Sequence, residues 1–373
     1  MRIAIVGCGQ LSRMMALAGI PLGLEFSFIR DDETQTRDCV QGLGIIENAP
    51  AKITETNSYP AEAIANLYQA LGEPDCISVE KEQVDITLLQ ALAIFCPIYP
   101  SVDAIKACQH RGAEKQLLTS LAIPTSPYLY NCSAKEAVER LGYPVMAKSC
   151  TEGYDGKNQW VIKNADDAIQ FDTLQLTDYI IEGFIEFDKE ISLVSARSQK
   201  GQIAHYSLTD NHHEKGMLIH SISPAVNISD ALQAQAQRYM ESLLNELDYV
   251  GILAIEFFVV GDSLMVNELA PRVHNSGHWT QLGSITCQFE NHVRAIAGLS
   301  LGSTKQISKT GMFNLIGTER PPFEALTENS KLYWYNKTSK AKRKVGHINF
   351  IAANQALLEQ QITQLKMRWK ANN

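Results

Sequence analysis

Residues 251–270 read GILAIEFFVVGDSLMVNELA, two apolar runs split by a turn signal, and no other segment narrows the fold of the chain as much. Apolar and β-branched residues on both sides of Gly261, Asp262 and Ser263 predict an antiparallel hairpin. Yet Glu256 and Glu268 stand inside these strands, where a carboxylate is costly to bury without a partner. If residues 261–263 form a three-residue loop, the two glutamates share one face with Cβ atoms ~4.5–5.5 Å apart, where like charges repel. A two-residue Gly261–Asp262 turn would put Glu268 on the opposite face. The first arrangement calls for a divalent cation, and oxygen-only ligands suit Mg²⁺ shared with nucleotide phosphates, with Mn²⁺ as an alternative. The second is a hairpin edge with solvated carboxylates.

The chain of 373 residues exceeds what one core usually serves, so two or three domains are expected. Near its start, Ile3–Val6 read as a strand, Leu11–Leu17 as a helix, Leu24–Ile29 as a strand, Ala61–Leu71 as a helix, Cys76–Val79 as a strand and Ile86–Phe95 as a helix. That alternation predicts a parallel sheet with helices on both faces over residues 1–100. Residues 101–300 mix α and β. Tyr143–Lys148 read as a strand; Ile180–Ile185, Glu190–Ala196 and Ile203–Leu208 as antiparallel strands; and Ser229–Leu247 as a capped amphipathic helix. From 301 to 373 short strands at Met312–Ile316, Lys331–Tyr335 and Val345–Ile351 precede a closing helix at Gln355–Trp369.

A net charge of −8 argues against a surface built for nucleic acid, which needs a basic face. The eight cysteines form no CxxC pair, which suits reduced thiols. No signal-peptide pattern and no apolar run of ~20 residues is present, so the expectation is a cytoplasmic protein without a membrane span.

Four further motifs carry chemistry. Gly7-Cys8-Gly9-Gln10-Leu11-Ser12 follows the first strand as GxGxxS, and Asp31 and Asp32 end the second; the glycines suit a dinucleotide, another anion or simply a tight turn. Residues 152–159, EGYDGKNQ, have the glycines and lysine of a loop closing over phosphates but miss the Walker pattern, and a polar turn is the alternative. After the hairpin, Arg272 is a fixed fork for a phosphoryl oxygen or carboxylate, or else a rim salt bridge, while His274 and His278 miss the HExxH zinc pattern. Finally Lys337, Arg343 and Lys344 belong to a basic cluster in an acidic protein, either solvated or a seat for a monoester phosphate.

Together these segments resemble the ATP-grasp ligases, and within them the N5-carboxyaminoimidazole ribonucleotide synthases of purine biosynthesis. The matching stretches are GCGQLSRM, SVEKE at 78–82, GYDGK at 153–157, EGFIEFDKEISL at 182–193, VNELAPRVHNSGHWT at 266–280, QFENHVRAI at 288–296 and RKVGHINF at 343–350. The resemblance implies an N-terminal parallel α/β pre-ATP-grasp domain (1–100), an ATP-grasp domain (101–300) with a lid over about 115–185, and a small β-rich C-terminal domain (301–373). It implies that Arg111, Lys148, Gly153, Tyr154, Asp155, Gly156, Lys157, Asn158, Gln159, Glu182, Gly183, Phe184, Ile185, Glu190, His213, Asn267 and Glu268 face ATP, with Glu256 and Glu268 holding Mg²⁺. Gln10, Leu11, Glu82, Asn275, Lys337, Arg343 and Lys344 would contact 5-aminoimidazole ribonucleotide; Arg272, Asp155 and His274 would serve the chemistry with bicarbonate. A homodimer is implied as well.

Three positions depart from the resembled pattern: Glu152 and Asn158 stand where the loop usually has glycine, and so does Ser12. Asn158 tolerates φ > 0 better than most residues, so the loop could still turn. Competing expectations are formate-dependent glycinamide ribonucleotide transformylase within the same fold, an NAD-dependent oxidoreductase that would use the N-terminal glycines and Asp31 or Asp32, and a nucleotide-binding protein without catalysis. The oxidoreductase leaves the carboxylate pair without a task.

Overall fold

The computed structural model of the chain describes residues 1–32, 36–151 and 158–372. The first unit runs β1 (Arg2–Val6), α1 (Gln10–Gly19), β2 (Glu25–Arg30), β3 (Ile45–Asn48), α2 (Ala61–Ala70), β4 (Cys76–Val79) and α3 (Ile86–Leu92). Its four strands are parallel in the order β3-β2-β1-β4, as the alternation of strand and helix predicts. β3 is the strand that sequence reading missed: IIEN is short and only half-buried, so it lacks a strong apolar signal.

The helices α4 (Val102–Gln109) and α5 (Arg111–Ser120) lead into a second sheet. It contains β5 (Tyr128–Tyr130), β6 (Val145–Ser149), β7 (Gln159–Ile162) and β8 (Tyr179–Gly183), antiparallel in the order β5-β8-β6-β7, backed by α6 (Ala134–Leu141) and α7 (Ala165–Thr173). The small core of this unit, around Val145, Ala147, Ile162, Phe171 and Ile181, is separate from the others.

The third sheet is the largest. It takes in β9 (Lys189–Arg197), β10 (Ile203–His205), β11 (Thr209–Glu214) and β12 (Met217–Ser223); then, after α8 (Asp230–Glu246), β13 (Gly251–Val260) and β14 (Ser263–Ala270). Past α9 (Thr280–Gly283) and α10 (Gln288–Ile296), β15 (Lys309–Ile316), β16 (Ser330–Trp334) and β17 (Lys344–Ala352) extend the same sheet through β12–β15 pairing, and α11 (Gln355–Asn372) follows. The three expected antiparallel strands at 180–208 thus divide between two sheets, because β8 belongs to the second sheet and the chain enters the large sheet only at β9.

Ser229 caps α8 by accepting the Leu232 N–H at 3.2 Å, and the helix lays Leu232, Ala236, Met240 and Leu243 on Ile191, Leu193, Ile255 and Phe257. Each such side chain contributes on the order of 1.5–3 kcal/mol by burial. Helix α10 fills the other side, where Phe289, Val293 and Ile296 share one core with Ile252, Ala254 and the α1 residues Met14 and Met15. α8 thereby closes one face of the large sheet, while α10 and α1 cover the other face around Ile252 and Ala254, and Glu256 and Glu268 lie further along the same two strands. All eight cysteines are free thiols. Among the described residues, no helix is long and apolar enough to cross a membrane.

Candidate active site

The hairpin at 251–270 closes with the two-residue Gly261–Asp262 turn, pairing Val260 with Ser263, and not with a three-residue loop. On simple alternation this turn would have parted the two glutamates. The register shifts once, however: Phe257 pairs with Val266 and Glu256 with Glu268, so Asn267 is the extra residue of a β-bulge. The bulge restores Glu268 to the face of Glu256, the geometry expected from the longer loop. Glu256 is pushed up to about 7 by burial first and by the Glu268 charge second. His274 Nε2 lies 3.7 Å from Glu256 Oε1, and donor atoms of Glu256, Glu268 and His274 lie within 4.8 Å of one another. Burial, followed by the Arg272 charge, holds His274 well below the usual imidazole range, leaving it a neutral ligand atom. Two converging carboxylates, one of them with its pKa raised by burial and by the other's charge, fit a divalent cation bound through oxygen.

Around this pair the structure sets fixed cations. Arg111, at the start of α5, reaches Glu268 Oε2 with Nη1 at 3.7 Å. Arg272 is forked onto Glu82, with Nε on Oε2 and Nη2 on Oε1 at 3.2 Å. Burial alone would raise the Glu82 carboxyl, and the Arg272 guanidinium outweighs it and holds it at about 2. The loop after Arg272 is pinned by Gln288, whose amide accepts the His274 N–H at 2.9 Å, donates to the His274 carbonyl at 2.7 Å and meets His278 Nδ1 at 3.0 Å. Gly277 is required here, since a Cβ would stand 2.7 Å from Gln288 Oε1. Both amide atoms of Asn275 are buried without a protein partner, which leaves them for a ligand.

The lid contributes Lys148, at the end of β6, whose ammonium is paired with Glu182 on β8. Gly183 closes β8 by donating its N–H to Pro127, Phe184 is half exposed beyond it, and Ile185 follows in the linker to β9. On β9, Glu190 meets His213 Nδ1 at 2.6 Å; this contact overcomes the burial that would lower His213 and raises its pKa. Glu152, Gly153, Tyr154, Asp155, Gly156 and Lys157 lie outside the described residues. Asn158 has φ +50°, the left-handed conformation that asparagine adopts more readily than most, and Gln159 starts β7 opposite Lys148. Beside this loop, His110 Nδ1 accepts the Ala113 N–H at 3.2 Å, so Nε2 carries the proton and donates to Asp178 at 2.7 Å.

The glycine loop has a different occupant from any expected. Glu80, at the end of β4, accepts the Gly9 N–H at 2.5 Å, the Leu11 N–H at 3.2 Å and the Ser12 hydroxyl at 3.1 Å. The side chain lies so close that a Cβ on Gly9 would stand 2.1 Å from Glu80 Oε1. The anion at this helix N-terminus is therefore the protein's own, and Asp31 is likewise taken by Lys81 at 3.4 Å. The dinucleotide reading fails on both counts. Ser12, the departure from glycine, donates into this carboxylate. What the loop presents outward is Gln10, bonded to Lys337. Lys337 is depressed by burial first, although Glu80 favours its charge; Arg343 donates to the Thr338 carbonyl at 3.1 Å; and Lys344 acts electrostatically on Glu256 and His213. The basic residues thus span from the glycine loop to the carboxylate pair.

Sequence reasoning missed Glu80, Lys115, Gln288 and Glu114, whose Oε2 accepts the Leu269 N–H of β14 at 3.0 Å. Glu80 and Gln288 lie within or beside stretches that carry the resemblance, SVEKE and QFENHVRAI, and that was their available signal.

A converging carboxylate pair on one antiparallel sheet and a lysine paired with a buried glutamate on a second are the arrangement of an ATP-grasp ligase. The ATP-grasp domain family matches residues 116–289, the ribonucleotide synthetase preATP-grasp domain residues 1–109, and the phosphoribosylaminoimidazole carboxylase C-terminal domain residues 310–361. The chain is 39% identical to N5-carboxyaminoimidazole ribonucleotide synthase of Vibrio cholerae, over 98% of this chain and 94% of that one. The crystal structure of N5-carboxyaminoimidazole ribonucleotide synthetase from Thermus thermophilus superposes with a TM-score of 0.87 at 37% identity, covering 98% of both chains. The Aspergillus clavatus synthase in complex with ADP and 5-aminoimidazole ribonucleotide gives 0.85 at 26% identity, over 99% of this chain and 98% of that one. The chain belongs to the N5-carboxyaminoimidazole ribonucleotide synthase family.

Proposed function

We propose that the chain carboxylates 5-aminoimidazole ribonucleotide with bicarbonate and ATP, giving N5-carboxyaminoimidazole ribonucleotide, ADP and phosphate. The observation that carries the reading is the bulge-registered Glu256–Glu268 pair, which converges with His274 while its Glu268 side chain stays open to a ligand. Bicarbonate oxygen takes the terminal phosphoryl group of ATP, releasing ADP and leaving carboxyphosphate. The exocyclic amine of the ribonucleotide then takes the carboxyl carbon, directly or as released CO₂, phosphate departs, and the amine gives up a proton.

The residues divide this work by chemistry. Lys148 places a point charge on the ATP phosphates, Arg111 lies beside Glu268 to reach them, and Glu190 accepts from the ribose hydroxyls with His213 as its counter-ion. Glu256 and Glu268 hold Mg²⁺ or Mn²⁺, with Asn267 on the bulge beside them; the bound cation supplies charge neutralisation at the phosphoryl oxygens. Arg272, held by Glu82, faces charge developing on the transferred group. Asn275 offers both amide atoms to the ribonucleotide, whose phosphate meets Lys337, Arg343 and Lys344, with Gln10 and Leu11 at the glycine loop.

Phosphate release tests this reading. It should require Mg²⁺ and rise when the ribonucleotide and bicarbonate are both present. Release that ignores the ribonucleotide would overturn the assignment.

A further inference from the structure

Lys115 stands on α5 one turn beyond Arg111 and is only 2% exposed. Its ammonium lies 2.8 Å from Glu182 Oε1, donates to Ser126 Oγ at 3.0 Å and donates to Thr125 Oγ1. Thr125 in turn donates to the Val266 carbonyl at 2.9 Å, which ties the group to β14, the strand of Glu268. The other oxygen of Glu182 is held by Lys148 on the lid strand β6. One buried carboxylate therefore serves two ammonium groups.

Neutralising Glu182 needs one cation, and burying a second is costly. The two lysines are not equivalent: Lys115 is fixed by hydroxyls anchored to the large sheet, whereas Lys148 ends a lid strand at the mouth of the loop. We propose that Lys115 is a positioning residue for ATP, keeping Glu182 neutralised so that the Lys148 ammonium can pass from the carboxylate to the nucleotide phosphates. Without Lys115, that transfer would strand a bare charge in the interior. The inference rests on the reading of Lys148 as a phosphate contact.

ATP binding to the full chain, measured by calorimetry, separates the possibilities. Lys115→Met should raise the Kd for ATP about tenfold or more, because a buried carboxylate deprived of its last cation is strongly penalised. The KM for the ribonucleotide should stay within about twofold, since sites without shared partners act independently. Lys115→Arg, which keeps the charge, should recover most of the ATP affinity, and Lys115→Gln serves as a second neutral variant under the same expectation. In a Glu182→Gln background the carboxylate no longer needs neutralising, and Lys115→Met should change the Kd by less than about twofold. An equal loss in both backgrounds would mean that Lys115 only supports the fold, and would overturn the proposal. Lys148→Met provides the reference: unchanged ATP affinity there would overturn the reading of Lys148 and the proposal with it, whereas a loss there without coupling between Lys115 and Glu182 would overturn the proposal alone.

Discussion

Two anionic regions of this molecule are built in opposite ways. At the glycine loop, backbone N–H groups and a helix N-terminus create an anion seat, and the chain fills it with Glu80. At the β13–β14 hairpin, two carboxylates converge, and the surrounding cations are committed elsewhere in part: Arg272 to Glu82, and Lys148 to Glu182. In the first region the backbone N–H groups are satisfied by Glu80 and serve the fold. In the second, burial and then the Glu268 charge raise the Glu256 carboxyl to about 7, which marks it as the place where a ligand belongs. Looking for charge that the fold leaves unbalanced distinguishes site from scaffold better than looking for motifs.

Substitutions should expose the difference most sharply at Glu268. Glu268→Gln keeps the shape and removes the carboxylate proposed to hold the cation, so turnover should drop roughly 10³-fold while the thermal transition stays close to the parent. A mutant that unfolds instead would place Glu268 with the scaffold. The converse change, Glu80→Ala, strips the acceptor from two N–H groups and a hydroxyl and should cost roughly 2–3 kcal/mol of stability, read by denaturant unfolding. The protein that remains folded should keep far more activity than the Glu268 variant. Comparable catalytic losses in both would erase the contrast.

The hairpin also predicts a pH signature. Glu256 and Glu114 titrate at about 7, above the ordinary 4.5, both because of burial. Between these values the native state holds more protons than the unfolded chain, so stability should fall as pH rises from about 4.5 to 7, by up to ~1.4 kcal/mol per pH unit for each group. On the proposed function Mg²⁺ would replace the Glu256 proton, and so should raise the Tm more at pH 8 than at pH 6; equal shifts at both would refute the metal assignment. Glu82 and Glu182, held at about 2, work in the other direction: their stabilisation is present above 4.5 and lost as pH falls toward 2. The smallest effect belongs to the glycine loop, where Ser12→Ala should cost about 1 kcal/mol in denaturant unfolding and leave turnover unchanged. A large loss of turnover would bring the loop into the chemistry.

Much of the fold was legible because its signals are local. The strand and helix alternation of β1 to α3, the cap at Ser229, and the apolar runs of β13 and β14 each depend on neighbours within a few residues. The long matching stretches carried the family, and with it the expected site. The left-handed turn at Asn158 also followed from residue type.

What the sequence by itself determined is which residues the chain can use: two glutamates in apolar strands, a lid lysine, an arginine beyond the hairpin and a basic cluster. Only the tertiary structure decided which of them are left unbalanced. The bulge at Asn267 is invisible to alternation, because a two-residue turn plus one extra residue gives the same facing as a longer loop. Glu80 reaches Gly9 across 71 residues, and Lys115 on α5 reaches Glu182 on β8. Such pairings are set by how separately formed elements dock, and a charge's partner is chosen by distance in space, on which spacing along the chain has no hold.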